Sequence, residues 1–112
     1  VTGNRLNAFL NQRSQDVLAA NNWNVVQYSV LLHLLSKVCG FKPGKLVHVI
    51  ADAHIYDRHI PMIEDLISRK SYDAPKFFID AGVDDFYKFS TDDIKVENYK
   101  AGPQITDIPI AI

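Results

Sequence analysis

The sequence predicts an α+β fold, with antiparallel or mixed strands packed against a buried central helix. Three observations carry that expectation. Leu6, Ala8 and Leu10 alternate with polar neighbours, as on a half-buried strand. Val25 to Val38 is a long run whose apolar residues cover most of a helix circumference. Lys45 to Tyr56 alternates again, now with one wholly apolar face. The chain has 112 residues, 47% hydrophobic and 22% charged, which allows one small domain and argues against disorder.

Taken in order, Arg5 to Asp16 reads as the first strand, with Phe9 interrupting its polar face. A bulge or strand end near Arg13 and Ser14 is expected, because it would turn adjacent side chains toward one site. Asn21 to Cys39 reads as the central helix, capped by Asn21 or Asn22 and followed by Gly40 in a left-handed conformation. Cys39 at its end is expected to be a packed thiol. Phe41 to Gly44 reads as a turn. In the strand Lys45 to Tyr56, Val47, Val49, Ala51, Ala53 and Ile55 form the apolar face. The opposite face carries Leu46, His48 and Ile50, then turns polar through Asp52, His54 and Tyr56. Ile60 to Lys70 reads as an amphipathic helix, with Ile60, Ile63, Leu66 and Ile67 on one stripe and Pro61 in its first turn. A strand from Pro75 to Ile79, a helical turn from Val83 to Phe89 and a strand from Ile94 to Tyr99 follow. The tail from Ile105 to Ile112 is apolar, where a disordered terminus would be polar.

The formal net charge of −1 argues against a general electrostatic nucleic-acid binder, which carries a basic excess, but leaves room for a local anion site. Cys39 is the only cysteine, so a reducing, cytoplasmic setting is expected. No apolar run reaches the roughly 18 residues of a membrane span, and no membrane partner is expected. No secretory leader is expected, since the first residues do not run from basic to apolar to small. The chain begins with Val1 rather than Met and close to a strand, which leaves open that it is a piece of something longer.

Polar chemistry concentrates between Gln12 and Asn24. The Arg13 guanidinium suits an oxyanion, the Asp16 carboxylate suits amino groups, and the Asn24 amide both donates and accepts. That is an inventory for a polar, anionic, planar ligand. Asp52, His54 and Tyr56 would form a second wall, since alternate strand positions point the same way. Plainer readings stand beside these: a surface cation for Arg13, a turn residue for Asp16, a helix cap for Asn24, a core residue at the helix start for Trp23. His48, Asp52, His54 and His59 are also metal donors close in sequence, but Ile50 intervenes and no compact zinc spacing is present, so no metal is expected.

With these residues laid out, the chain resembles thymidylate synthase over essentially its whole length. The matching pieces are Gln12-Arg13-Ser14-x-Asp16, Trp23-Asn24-x-x-x-Tyr28, Asp52-x-His54-x-Tyr56-x-x-His59, Pro75-Lys76, Tyr99 and Ile110-Ala111-Ile112. Each alone is weak; in the family's order and spacing they are specific. The residues around Asn21-Asn22-Trp23 look like the bacillus and phage branch. The resemblance implies a thymidylate synthase-type fold, of which residues 1–112 are the C-terminal part of a single domain, with a mixed sheet packed on a buried central helix. The family's nucleophilic cysteine, its catalytic glutamate, the arginines lent by a second subunit and the folate-stacking tryptophans all lie upstream. Cys39 does not match the nucleophile, so this chain alone is expected to be inactive.

The activity implied is reductive methylation of deoxyuridylate to thymidylate, with 5,10-methylenetetrahydrofolate as co-substrate, in a homodimer. Arg13 and Ser14 would bind the nucleotide phosphate. Gln12 would face an ordered water near the pyrimidine oxygen where charge develops. Asn24 would pair with the uracil edge. Asp16 would meet both the pyrimidine, through its backbone, and the pterin, through its carboxylate. His54 and Tyr56 would hold the deoxyribose hydroxyl. Ala20, Trp23, Ala111 and Ile112 would face the folate, with the tail closing over it. His59 would cap or line the second helix. Two alternatives remain: a non-catalytic nucleotide-binding fragment, and a relative of the deoxycytidylate hydroxymethylases, which carry Asp where this chain has Asn24.

Overall fold

The computed structural model describes residues 1–80 and 82–110. Strand β1 (Arg5–Asp16), helix α1 (Asn21–Val38) and strand β2 (Lys42–His54) form a β-α-β unit. Its strands run parallel. Parallel neighbours need a crossover, and α1 supplies it. After a 3-10 turn at Asp57–His59 comes helix α2 (Ile60–Ser68). Strands β3 (Lys76–Ile79) and β4 (Ile94–Glu97) pair antiparallel in a separate small sheet. The architecture is α+β, as the sequence predicts.

The register contains one irregularity, and it is not at Arg13 and Ser14. Leu6 pairs with Pro43 and Ala8 with Leu46, so Asn7 alone faces Gly44 and Lys45. The Asn7 side chain makes up for the skipped rung: its Oδ1 accepts from the Lys45 N–H at 2.8 Å. Gly44 permits the close approach, because a Cβ there would lie 2.6 Å from the Leu6 carbonyl oxygen. From Ala8 to Asp16 the register is unbroken. β2 therefore starts inside the segment read as a turn, with the Lys42 N–H donating to the Asn4 carbonyl at 2.8 Å. It ends at His54, leaving Ile55 and Tyr56 beyond the strand.

Helix α1 starts without a side-chain cap: Ala20 holds the cap position, and neither Asn21 nor Asn22 caps it. Asp16 organises this entry instead. Its Oδ1 accepts from the Ala19 N–H at 3.0 Å, and its carbonyl from the Ala20 N–H at 3.0 Å. The other end matches the expectation. Gly40 has φ +71; its N–H donates to the Lys37 carbonyl and the Phe41 N–H to the Ser36 carbonyl, the Schellman pattern. Cys39 sits at this stop and is exposed, not packed.

Burial of α1 is one-sided. Leu32 and Ser36 are buried, while Val25, Val26 and Leu35 are exposed. A two-stranded sheet is about one helix wide and covers a single stripe. That stripe rests on Leu6, Leu10, Leu46, His48 and Ile50, all half-buried. The apolar outer face of β2 points away, with Val47, Val49 and the neighbouring Phe9 exposed. The remaining elements differ in extent. α2 stops at Ser68, where Arg69 turns extended, and Ile60 and Ile67 of its expected stripe are exposed. The helical turn is a 3-10 turn at Phe86–Lys88. β4 ends at Glu97, before Asn98 at φ 59 redirects the chain. The β3–β4 pair docks on α1 through Phe77, whose ring meets His33 edge-on at 4.7 Å. Burial there holds the His33 imidazole below its usual pKa, favouring the neutral ring.

Candidate functional site

The C-terminal ends of β1 and β2 and the N-terminal turn of α1 meet at one place, the position where ligands sit in sheets with parallel strands. Gln12 is its hub. Its Nε2 donates to the Ser14 carbonyl at 2.9 Å and to Asn24 Oδ1 at 3.2 Å. Its Oε1 accepts from His48 Nε2 at 2.8 Å. A carbonyl only accepts, so the Ser14 oxygen decides which end of the Gln12 amide carries hydrogens. That choice propagates: Asn24 turns Oδ1 toward Gln12, and His48 carries its proton on Nε2. Asn24 Oδ1 keeps a second lone pair, and Nδ2 makes no hydrogen bond among the described residues. The amide thus presents an acceptor and a donor side by side in a fixed order.

Ser14 and the end of β2 continue the wall. Ser14 Oγ donates to Asp52 Oδ2 at 3.3 Å. His54 Nδ1 lies 3.6 Å from the same carboxylate oxygen. The Tyr56 ring packs edge-on against His54 at 5.2 Å and against His59 at 5.4 Å. Asp52, His54 and Tyr56 therefore gather on one side, as expected, even though Tyr56 lies beyond the strand. Arg13 is not gathered with them. With no bulge beside it, strand alternation sends its side chain to the face opposite Gln12 and Ser14, where it is exposed.

The helix entry adds Asp16 and a buried histidine. His59 is 2% exposed. Its Nε2 bonds the Pro109 carbonyl at 2.9 Å, and its Nδ1 lies 3.9 Å from Asp16 Oδ1. Trp23 is 77% exposed, which corrects the reading of it as a core residue. Its indole walls a groove of about 600 Å³ together with Leu18, Asn22, Leu66, Tyr99 and Ile105. Ala20 sits half-buried at the helix cap and does not line that groove. Ala111 and Ile112 lie outside the described residues. Among the described residues no group of three His, Cys, Asp or Glu side chains could hold a metal ion, and no helix is long and apolar enough to cross a membrane. Cys39, at the far end of α1, is about 22 Å along the helix axis from Asn24.

The family model for thymidylate synthase matches residues 1–112. The chain belongs to the thymidylate synthase family. The thymidylate synthase of Clostridium beijerinckii is 45% identical over 102 residues, covering 89% of this chain and 39% of that protein. That of Bacillus mojavensis is 37% identical, covering 91% and 37%. That of Bacillus phage phi3T is 37% identical, covering 90% and 36%. Among solved structures, thermostable thymidylate synthase A from Bacillus subtilis superposes with a TM-score of 0.82 at 38% identity, covering 85% of this chain and 34% of that one. This chain thus spans less than two fifths of the length of these thymidylate synthases.

Sequence reasoning missed two residues of the site. In the sequence His48 reads only as a metal donor, although it shares a strand face with Asp52 and His54; its contact with Gln12 depends on the parallel register. His59 looked like a neighbour of the second helix, and its bond to a carbonyl 50 residues away has no local signal.

Proposed function

We propose that this chain is the nucleotide- and folate-binding part of a thymidylate synthase, a methyltransferase that converts deoxyuridylate to thymidylate with 5,10-methylenetetrahydrofolate as co-substrate. The observation that carries the reading is the oriented amide of Asn24. Uracil offers a ring N–H donor beside a carbonyl acceptor, and Asn24 answers with Oδ1 and Nδ2. Cytosine offers the reverse order. A free amide could flip to serve either base, but the hydrogen bond from Gln12 opposes the flip. This favours a uracil nucleotide over the cytosine nucleotide of the hydroxymethylase relatives.

The other roles are those the family resemblance implies. Arg13 and Ser14 take the phosphate, Arg13 as a fixed cation reaching from the other strand face. Both Gln12 hydrogens are engaged, so its part is to orient Asn24, with a lone pair of Oε1 left for an ordered water. His54 and Tyr56 hold the deoxyribose hydroxyl. Asp16 meets the pyrimidine through its backbone, and its acceptor-only carboxylate meets the amino and ring N–H donors of the pterin. The groove walled by Trp23 supports a folate site there, with Ala20 beside it and Ala111 and Ile112 closing the tail. Together these groups bind, orient and polarise. The attacking thiolate is supplied by the upstream part of the protein, because Cys39 is out of reach. The chain alone is therefore inactive, and a reducing cytoplasm suits an enzyme that needs a free thiolate. The exposed sheet face of Phe9, Val47 and Val49 suits a second copy, giving a homodimer.

The alternative is a non-catalytic nucleotide binder. A Pro-Cys-His-type strand end encoded upstream of Val1 decides for the enzyme, and its absence for the binder. The specificity claim has its own test. In the complete protein, Asn24→Asp should move preference from deoxyuridylate toward deoxycytidylate by about tenfold or more. An unchanged ratio of kcat/KM values would remove Asn24 from base recognition.

A further inference from the structure

We infer that His48 is a positioning residue for base selection: its Nε2 hydrogen keeps Gln12 in the orientation that makes Asn24 present its amide in the uracil order. The inference rests on the base-reading role proposed for Asn24.

Asn24 stands at the start of α1, and among the described residues its side chain bonds only to Gln12. Gln12 therefore decides which end of the Asn24 amide faces the base. A glutamine side chain is long and flexible, and ordering it costs entropy. It must be held at both ends of its own amide. The Ser14 carbonyl holds the nitrogen end at 2.9 Å. His48 Nε2 holds the oxygen end at 2.8 Å. His48 is half-buried and pairs with Leu10, two residues before Ile50, the register partner of Gln12. The register is unbroken along this stretch, so the imidazole reaches Gln12 from a fixed platform. Gln12 Oε1 accepts only, so the contact needs a hydrogen on Nε2. The charged ring and the neutral ring with its proton on Nε2 both supply it, so the hold does not depend on the charge of His48.

Without that hydrogen, Gln12 Oε1 is a part-buried acceptor with no partner, which costs free energy. Exchanging the two ends of the Gln12 amide gives no relief, because it sets Oε1 against the Ser14 carbonyl. Turning the amide out toward water does give relief, and it takes away the donor that Asn24 Oδ1 relies on. Asn24 is then free to present either order. His48 thus acts on base selection at one remove, through Gln12.

The test is the ratio of Kd for deoxycytidylate to Kd for deoxyuridylate, measured by equilibrium binding to the complete protein. His48→Met and His48→Gln match each other in length and both lose the ring. Only the second sets an N–H as many bonds from Cβ as the histidine Nε2. His48→Phe keeps a ring without a donor. His48→Met and His48→Phe should each lower the ratio about tenfold, and His48→Gln should keep it within about threefold of the unsubstituted protein. A packing role predicts instead that His48→Phe is tolerated, that the other two suffer alike, and that both nucleotides weaken together. That pattern, or equal ratios in His48→Met and His48→Gln, overturns the inference. The comparison of those two decides even where His48→Phe does not fold. If the unsubstituted complete protein shows no preference for deoxyuridylate, the reading of Asn24 fails and takes this one with it. If the preference is there and His48→Met preserves it, only the role of His48 fails.

Discussion

At the scale of single residues, Gln12 shows how one amide sets the orientation of its neighbours. Both its hydrogens and its oxygen are committed, to Ser14, Asn24 and His48. Gln12→Glu has nearly the same shape but no hydrogens to donate. It would set a carboxylate oxygen against the Ser14 carbonyl and against Asn24 Oδ1. We expect a loss of about 1–3 kcal/mol of stability in chemical unfolding, the usual cost of an unmet buried acceptor. A change within about 0.5 kcal/mol, typical of inconsequential surface substitutions, would mean that the hub is not held as described. The sequence marks Gln12 as polar and well placed. It does not reveal His48 as its partner, because the two are 36 residues apart. Only a register makes them neighbours.

At the scale of elements, that register depends on the bulge at Asn7. The hydrophobic pattern alone would allow β1 and β2 to slide, since between Leu46 and Ile50 β2 carries apolar residues on both faces. The Asn7 side chain and Gly44 pin it. A methyl group on Gly44 would meet Asn7 Oδ1 at 2.2 Å and the Leu6 carbonyl at 2.6 Å. The side chain could rotate away, but the backbone oxygen could not move without opening the pair. Gly44→Ala should therefore cost about 1–3 kcal/mol, as overpacking does. It should also reduce hydrogen-exchange protection along the start of β1 and β2, and full protection with unaltered stability would argue against a pinning bulge. Most elements were legible from periodicity, including the helix from Asn21 and its stop at Gly40. The errors fall where backbone pairing overrides local composition: Phe41 to Gly44 looks like a turn yet enters a strand, and Arg13 and Ser14 look like a bulge site yet stay in register.

At the scale of the molecule, the chain exposes more surface than its size warrants. Its accessible area is 8600 Å², against about 6,200 Å² for a compact monomer of this mass. Its radius of gyration is 16.6 Å, against about 13 Å. Leu18 and Leu32 are the only buried hydrophobic side chains among the described residues. The excess of about 2,400 Å² exceeds the roughly 800 Å² that one partner contributes to a standard interface. It leaves room for a second copy and for the rest of the family's domain. The outer sheet face is the exposed side of a parallel pair, and parallel strands are normally covered on both faces. We expect the purified chain to self-associate through Phe9, Val47 and Val49, and Val49→Lys to shift it toward monomer in sedimentation. If the unsubstituted chain stays monomeric at concentrations where other apolar surfaces associate, the assignment of that face is wrong.

The sequence by itself determined which kinds of element form, which polar residues cluster between Gln12 and Asn24, and the family to which they belong. Side-chain periodicity and turn chemistry are local, so they survive in one dimension. Only the tertiary structure decided which face of each strand meets the helix, how Gln12 aims Asn24, and that His48 holds Gln12. Alternation says that neighbouring side chains point apart, but the pairing register decides which of them arrive at the same place.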